Sequence, residues 1–295
     1  MNDIQMKRGY KMRNYNENGI GIKPIIDTMF FEMKKQKKKF YFFLVVAILV
    51  IILVGYLLQL IPGNLLSNTQ AEFFSNGLSF ISYLALFSAC LFFSGIICSE
   101  FDKRTGFITF PKINKYKLIL GKYIGNLVLV VFIITVYYFI LALLGFYYYG
   151  GPINIRIFYS YGFAVLYLIA LSSFVTFFSS FLRSETITII ITLIILLIGL
   201  NIADRIITLI FKDSFEPLYS LSYLGNLITS VLQNPFPDPR YVEISFGGTG
   251  PGGFGGSFTF GNWITPSILM GTIMMIIYIV ACFIFAALLF KRRQL

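Results

Sequence analysis

The sequence predicts an all-α polytopic membrane protein: six transmembrane helices, both termini cytoplasmic, an N-terminal interfacial helix, and a large outer segment before the last helix. Three observations carry that prediction. Of 295 residues, 57% are hydrophobic and only 13% charged, more apolar surface than one soluble core of this length buries. Six apolar runs, at 40–61, 78–98, 123–149, 157–182, 187–203 and 264–290, approach or exceed the about 20 helical residues that cross a hydrocarbon core of about 30 Å. With the N-terminus inside, 20 of the 24 Lys and Arg residues fall in inner segments, leaving Arg156, Arg205, Lys212 and Arg240 outside. That asymmetry is the positive-inside pattern.

Residues 1–21 are polar, rich in Asn, Lys and Arg, and aperiodic, so a tail without regular structure is expected. From Pro24, the apolar residues Ile25, Ile26, Met29, Phe30 and Met33 recur at helical spacing, while Asp27, Lys34 and Lys35 take other angular positions. This predicts a helix lying on the inner membrane surface. The cluster Lys34, Lys35, Lys37, Lys38 and Lys39 would hold it at anionic lipid headgroups. Residues 1–39 are thus read as cytoplasmic tail and interfacial amphipathic helix, 40–290 as the membrane domain, and 291–295 as a cytoplasmic tail. The first run exceeds a signal h-region and lacks a small-residue cleavage site, so it is expected to stay as an anchor.

A net charge of +11 would point to nucleic acid in a soluble protein. Here the basic residues flank apolar runs and face membrane lipid instead, and no nucleic-acid partner is expected. Cys90, Cys98 and Cys282 lie in or beside apolar runs, and the chain has no His, which argues against a disulfide framework or a zinc site. The six runs as drawn contain no Asp, Glu, Lys or Arg. Ion-coupled carriers and intramembrane hydrolases place such groups at depth, so no catalytic residue, metal ligand or cofactor site is expected in this chain. Asp204 and Arg205 read as an interfacial pair at the outer end of the fifth span, unless that span continues to Phe211.

The outer segment 201–262 has three parts. Residues 206–211 are apolar and read as interfacial, and 217–232 place Leu218, Leu221, Gly225, Ile228 and Leu232 on one helical face, as a re-entrant or interfacial helix would. After the proline-rich 235–240, two short strands at 241–246 and 257–260 would flank a stretch with seven glycines in ten residues, 247–256, making a hairpin over 241–260. Gly250, Gly252 and Gly255 form a formal GxGxxG. It lacks the βαβ surroundings that make such a motif a nucleotide site and reads as a flexible outer loop. GxxxxGK[ST] is absent, so the chain carries no Walker phosphate loop.

Gly121 and Gly125 give GxxxG at the start of the third span, a spacing that permits close helix approach. Thr186, Thr188 and Thr192, with Gly199 and Asn201, make the fifth span the most polar on one side. Thr188, Thr192 and Asn201 are therefore candidate pathway-lining residues, the alternative being hydroxyls that bond back to their own helix.

The longest charged interruption between apolar runs is 94–125. It carries Ser94 and Gly95, Glu100, Lys103 with Arg104, Thr105 and Gly106, the apolar 107–110, Pro111, Lys112, Lys115, and Leu120, Gly121 and Lys122. In order and spacing this resembles the first cytoplasmic loop of the ABC-2 type permeases, the membrane subunits of ATP-driven ABC exporters, except that Thr105 precedes Gly106 where that family has Gly before Thr. The resemblance implies six spans with both ends cytoplasmic in the cell membrane. It also implies a coupling loop at 99–122, with Glu100, Phe101, Asp102, Lys103, Arg104, Thr105 and Phe107 docking on a dimer of separate cytoplasmic ATP-binding subunits. ATP and Mg would belong to that partner, and a second permease copy or paralogue would complete the pathway.

On that basis the chain is expected to be a permease that exports an amphipathic or hydrophobic substrate and is not itself an enzyme. The alternatives are an ABC-type module passing mechanical work to an outer partner through the glycine-rich hairpin, or an ATP-independent carrier or channel.

Overall fold

A bilayer offers backbone amides and carbonyls no partners, so a chain this apolar must satisfy them internally, and helices do so within one segment. The computed structural model describes residues 22–60, 69–102, 114–211, 214–246 and 258–292. Among the described residues, five stretches are long and apolar enough to span a membrane: Gln70–Phe101, Tyr116–Tyr149, Arg156–Phe181, Glu185–Phe211 and Ile268–Lys291. The chain is a helical, multi-pass membrane protein.

Helix α1, Lys23–Lys35, starts with Pro24 in its first turn, where the missing amide costs nothing. It meets α2, Lys37–Leu60, at Gln36. The face of α1 turned to the protein is Thr28, Glu32 and Gln36, while Ile22, Ile26, Phe30 and Phe31 are exposed. Ile25, Met29 and Met33 are half-buried, Met33 against the core, so the apolar side is shared between the bundle and the surroundings, as suits a helix resting in a lipid interface. Along α2, Phe43, Ala47 and Ile51 recur every four residues as the buried stripe.

The next span has three helical pieces: α3, Gln70–Gly77, α4, Ile81–Phe93, and α5, Gly95–Asp102. Thr69 caps its start by accepting from the Glu72 amide at 3.3 Å. This span is central: 67% of its most apolar window lies inside the structure, against 17% for Glu185–Phe211 and 22% for Ile268–Lys291.

Helix α6, Lys115–Tyr149, has 35 residues and is about 52 Å long at 1.5 Å per residue, so its first turns extend past a hydrocarbon core. Those turns pack on α1. Asn114 caps α6 through the Tyr116 amide, and Gly150 and Gly151, both at positive φ, end it as residues with a Cβ rarely can.

Helix α7, Arg156–Phe181, is the hub, touching α4, α5, α6 and the last helix, α12, Ile268–Arg292. Its buried residues include Ser160, Ala164, Ala170, Ser172, Ser173 and Ser179, small side chains that let neighbouring helices approach.

The fifth candidate span is α8, Glu185–Ile194, a π-helical turn at Ile195–Gly199, and α9, Leu200–Phe211. It does not end at residue 203: the helix carries Asp204 and Arg205 onward to Phe211. Two short helices follow, α10, Leu221–Gly225, and α11, Leu227–Ser230. Leu221, Ile228 and Leu232 of the expected apolar face are fully buried. At Gly225 an added Cβ would lie 3.0 Å from Tyr167 Cζ, so a side chain there would press on the Tyr167 ring of α7.

Strands β1, Tyr241–Phe246, and β2, Phe258–Trp263, pair antiparallel from Tyr241 opposite Trp263 to Phe246 opposite Phe258. The second strand runs three residues beyond the expected 257–260, so the last helix begins at Ile268 rather than at 264. The tail 1–21, Lys103, Arg104, Thr105, Phe107 and the glycine-rich 247–256 lie outside the described residues.

Candidate functional site: a broken span and a polar cavity

The central span is interrupted at Ser94, between α4 and α5. A helix end leaves its last four carbonyls and the next helix's first four amides without helical partners, which a membrane interior penalises. Three other helices supply partners for four of them. Lys39 Nζ of α2 donates to Leu91 O at 3.1 Å, and Asn126 Nδ2 of α6 donates to Phe92 O at 2.8 Å. On the far side of the break, Ser179 Oγ of α7 accepts from the amides of Ile97 and Cys98, both at 3.1 Å. Lys39 also pairs with Glu185 at the start of α8 at 3.0 Å, and the Glu185 carboxyl lies 3.0 Å from where a Cβ on Gly95 would sit.

Of the expected loop residues, Glu100 and Phe101 fall in the last turns of α5 and face the bundle. Glu100 is buried and accepts a charge-assisted hydrogen bond from Lys122 Nζ of α6. Phe101 is half-buried and stacks edge-on with Phe290 of α12 at 6.2 Å between ring centroids. Asp102 is the last residue of α5.

The opposite half of the bundle holds an open cavity of about 910 Å³ between α3, α4, the π turn, α9, α10 and β2. Its wall is rich in hydroxyl and amide groups, such as Ser79, Ser82, Asn76, Asn201 and Asn226, and in the aromatic rings of Tyr83, Tyr167, Tyr223 and Trp263. Tyr167 and Leu196 lie midway along their helices, so the cavity reaches about the middle of the bundle. Among the described residues, Asp204 and Arg205 are its only charged lining.

The sequence reading missed this site because a charged pair next to an apolar run marks a span end by hydropathy alone. The usable signal was the one-sided polarity that continues from Asn201 through Asp204 and Arg205 to Thr208.

Of the three candidate lining residues, the structure brings Asn201 to the cavity and not Thr188 or Thr192. Both threonines are fully buried: Thr188 Oγ1 donates to Ser184 O at 2.8 Å, and Thr192 Oγ1 to Thr188 O at 2.7 Å.

The cavity wall is fastened by polar bonds. Ser222 Oγ and Asn201 Nδ2 donate to the π-turn carbonyls of Leu196 and Leu197, at 3.0 and 2.6 Å, and Ser160 Oγ holds Ile228 O at 2.6 Å. Beside it, Arg240 pairs with Glu216 at 2.7 Å and lies 5.9 Å from the centre of the Trp263 ring. The Tyr223 hydroxyl donates to the same Glu216 carboxylate at 3.0 Å. Burial, and then the neighbouring Glu216 charge, push the Tyr223 hydroxyl well above its usual range, so it remains a donor.

No group of three or more His, Cys, Asp and Glu side chains suited to a metal ion occurs among the described residues. The arrangement offers hydrogen bonds, two charges and aromatic faces for binding. No protein-family model and no curated protein sequence matches the chain.

Proposed function

We propose that the chain is the membrane permease subunit of an ATP-driven ABC exporter, energised by separate ATP-binding subunits that carry ATP and Mg. In this reading α2 is the first of six spans, both termini are cytoplasmic, the protein resides in the cell membrane, and a second copy or a paralogue completes the pathway.

The observation that carries the reading is the anchored break at Ser94. The span leading into the loop that resembles a coupling loop is bonded there by Lys39, Asn126 and Ser179 to α2, α6 and α7. Displacement of that loop by a soluble partner would therefore act on three other helices, and the cavity at the other end would receive the movement. The chain has no Walker phosphate loop, and in this reading the ATPase is the partner's.

The test is co-purification. The tagged chain, mildly solubilised from its own membranes, should retain a soluble ATPase, and Lys103→Glu with Arg104→Glu should release it while leaving the chain's size-exclusion profile unchanged. A chain that purifies alone in both forms, yet moves substrate in vesicles, would replace this reading with an ATP-independent carrier.

A further inference from the structure

We propose that the cavity binds a compact zwitterion, an ammonium and an acidic group a few ångströms apart, with Asp204 taking the cation and Arg205 the anion. Its standing as cargo rests on the permease reading; its occupancy does not.

Charge accounting leads to this class. Ion pairing among the described residues joins Lys35 to Glu32, Lys39 to Glu185, Lys122 to Glu100 and Arg240 to Glu216. Asp204 and Arg205 enter none of these pairs, although both line one cavity. Being consecutive on a helix, they point about 100° apart and present opposite charges to two parts of the same space. Asp204 Oδ1 is buried and completes no hydrogen bond; the Tyr219 and Ser220 hydroxyls serve as donors to the carboxylate, which leaves it solvated by neutral groups but without a counter-charge among the described residues. A purely cationic ligand would leave Arg205 without a counter-charge, an anionic one would leave Asp204, and a neutral one would leave both.

The rest of the wall fits the same chemistry. Tyr83, Tyr167, Tyr223 and Trp263 offer ring faces to an alkylated ammonium, and the amides and hydroxyls can hold ester or phosphate oxygens. The volume of about 910 Å³ suits a headgroup-sized ligand with water. On the same helix as the two charges, Ile198, Ile202 and Ile206 are half exposed, at 53%, 53% and 50%, an apolar strip along which an acyl tail would lie. The zwitterion thus has two sources, a lipid headgroup with its tails or a free solute, and the probes separate them.

Trp263 is the chain's single tryptophan and lines the cavity, so its emission reports on this site. The full chain, reconstituted in phosphatidylglycerol nanodiscs, is titrated with dihexanoylphosphocholine, glycerophosphocholine, dihexanoylphosphatidylglycerol and a trimethylammonium amphiphile of equal tail length. The expected result is a saturable Trp263 response to a phosphocholine probe and none to the two singly charged probes at the same concentrations. Asp204→Asn and Arg205→Gln should each weaken that response about tenfold, the scale of one charge-assisted hydrogen bond.

A response to glycerophosphocholine identifies a free zwitterion as sufficient, and a response only to the dihexanoyl probe identifies a lipid; both support the proposal. Equal responses to the singly charged probes, no saturable response to either zwitterion, or unchanged affinity in both variants overturns it. The wild-type selectivity decides the matter even where a variant fails to fold. Retention of the soluble ATPase, measured on the same preparation, fails or holds independently.

Discussion

Glu100 and Lys122 form a buried ion pair that ties the end of α5 to the early turns of α6, with side-chain exposures of 8% and 7%. A pair this dry is weak evidence of net stabilisation, yet removing one partner of such a pair typically costs about 3–5 kcal/mol. Glu100→Gln or Lys122→Met alone should therefore sharply lower the unfolding midpoint of the detergent-solubilised chain. The double substitution should cost clearly less than the sum of the two. Additive losses would mean that the two side chains do not act as a pair. It also follows that charge reversal at Glu100 would disrupt the bundle itself, so partner docking is better probed at Lys103 and Arg104.

Ser179 accepts two amides across the Ser94 break, and its removal leaves both in an apolar surrounding. Ser179→Ala should destabilise the chain by about 1–3 kcal/mol and speed hydrogen exchange of the Ile97 and Cys98 amides. Ser179→Thr, which keeps the oxygen, should restore most of the protection. Unchanged exchange at these amides in the alanine variant would remove Ser179 from the account of the break.

What hydropathy encodes was readable, and what depends on pairing across helices was not. Helix Arg156–Phe181 lies within one residue of the expected 157–182 at either end, because its apolar run is bounded by polar turns. Strand Tyr241–Phe246 coincides with the expected 241–246. Lys122, by contrast, looks in sequence like a headgroup-facing lysine, and only the fold brings Glu100 to it. The break at Ser94 has no proline to announce it, and its bonds come from residues 52, 34 and 82 positions away. Asp204 and Arg205 read as a terminus because a linear window cannot tell a charged pair that ends a helix from one that faces a cavity.

Gly121 and Gly125 form the seat of α1. A Cβ on Gly121 would lie 2.7 Å from Ile25 O and 2.8 Å from Thr28 Cβ, and one on Gly125 would lie 2.9 Å from Met29 O. Backbone oxygens cannot rotate aside, so even alanine must displace the helix. Gly121→Ala and Gly125→Ala should each loosen α1, read as faster tryptic cleavage after Lys34 and Lys35. Gly162→Ala is the control: it sits in α7 with nothing within 4 Å of the added carbon and should be neutral or stabilising by up to about 1 kcal/mol. Equal cleavage in all three variants would mean that α1 is not held by this contact.

The polar face of the fifth span divides into a packed half and an open half. Thr188 and Thr192 are fully buried and bonded to their own helix, with Thr188 also 3.9 Å from Cys98 Sγ, whereas Asn201 is exposed and lines the cavity. A cysteine reacts only where water and reagent reach its thiolate. In a chain with Cys90, Cys98 and Cys282 replaced by alanine, Asn201→Cys should label readily with a membrane-impermeant maleimide, and Thr188→Cys and Thr192→Cys should stay unlabelled. A saturating phosphocholine probe should slow labelling at residue 201. Comparable labelling at 192 and 201 would move the water-filled path from the described cavity to the threonine face, and the charge pair at Asp204 and Arg205 would then need another explanation.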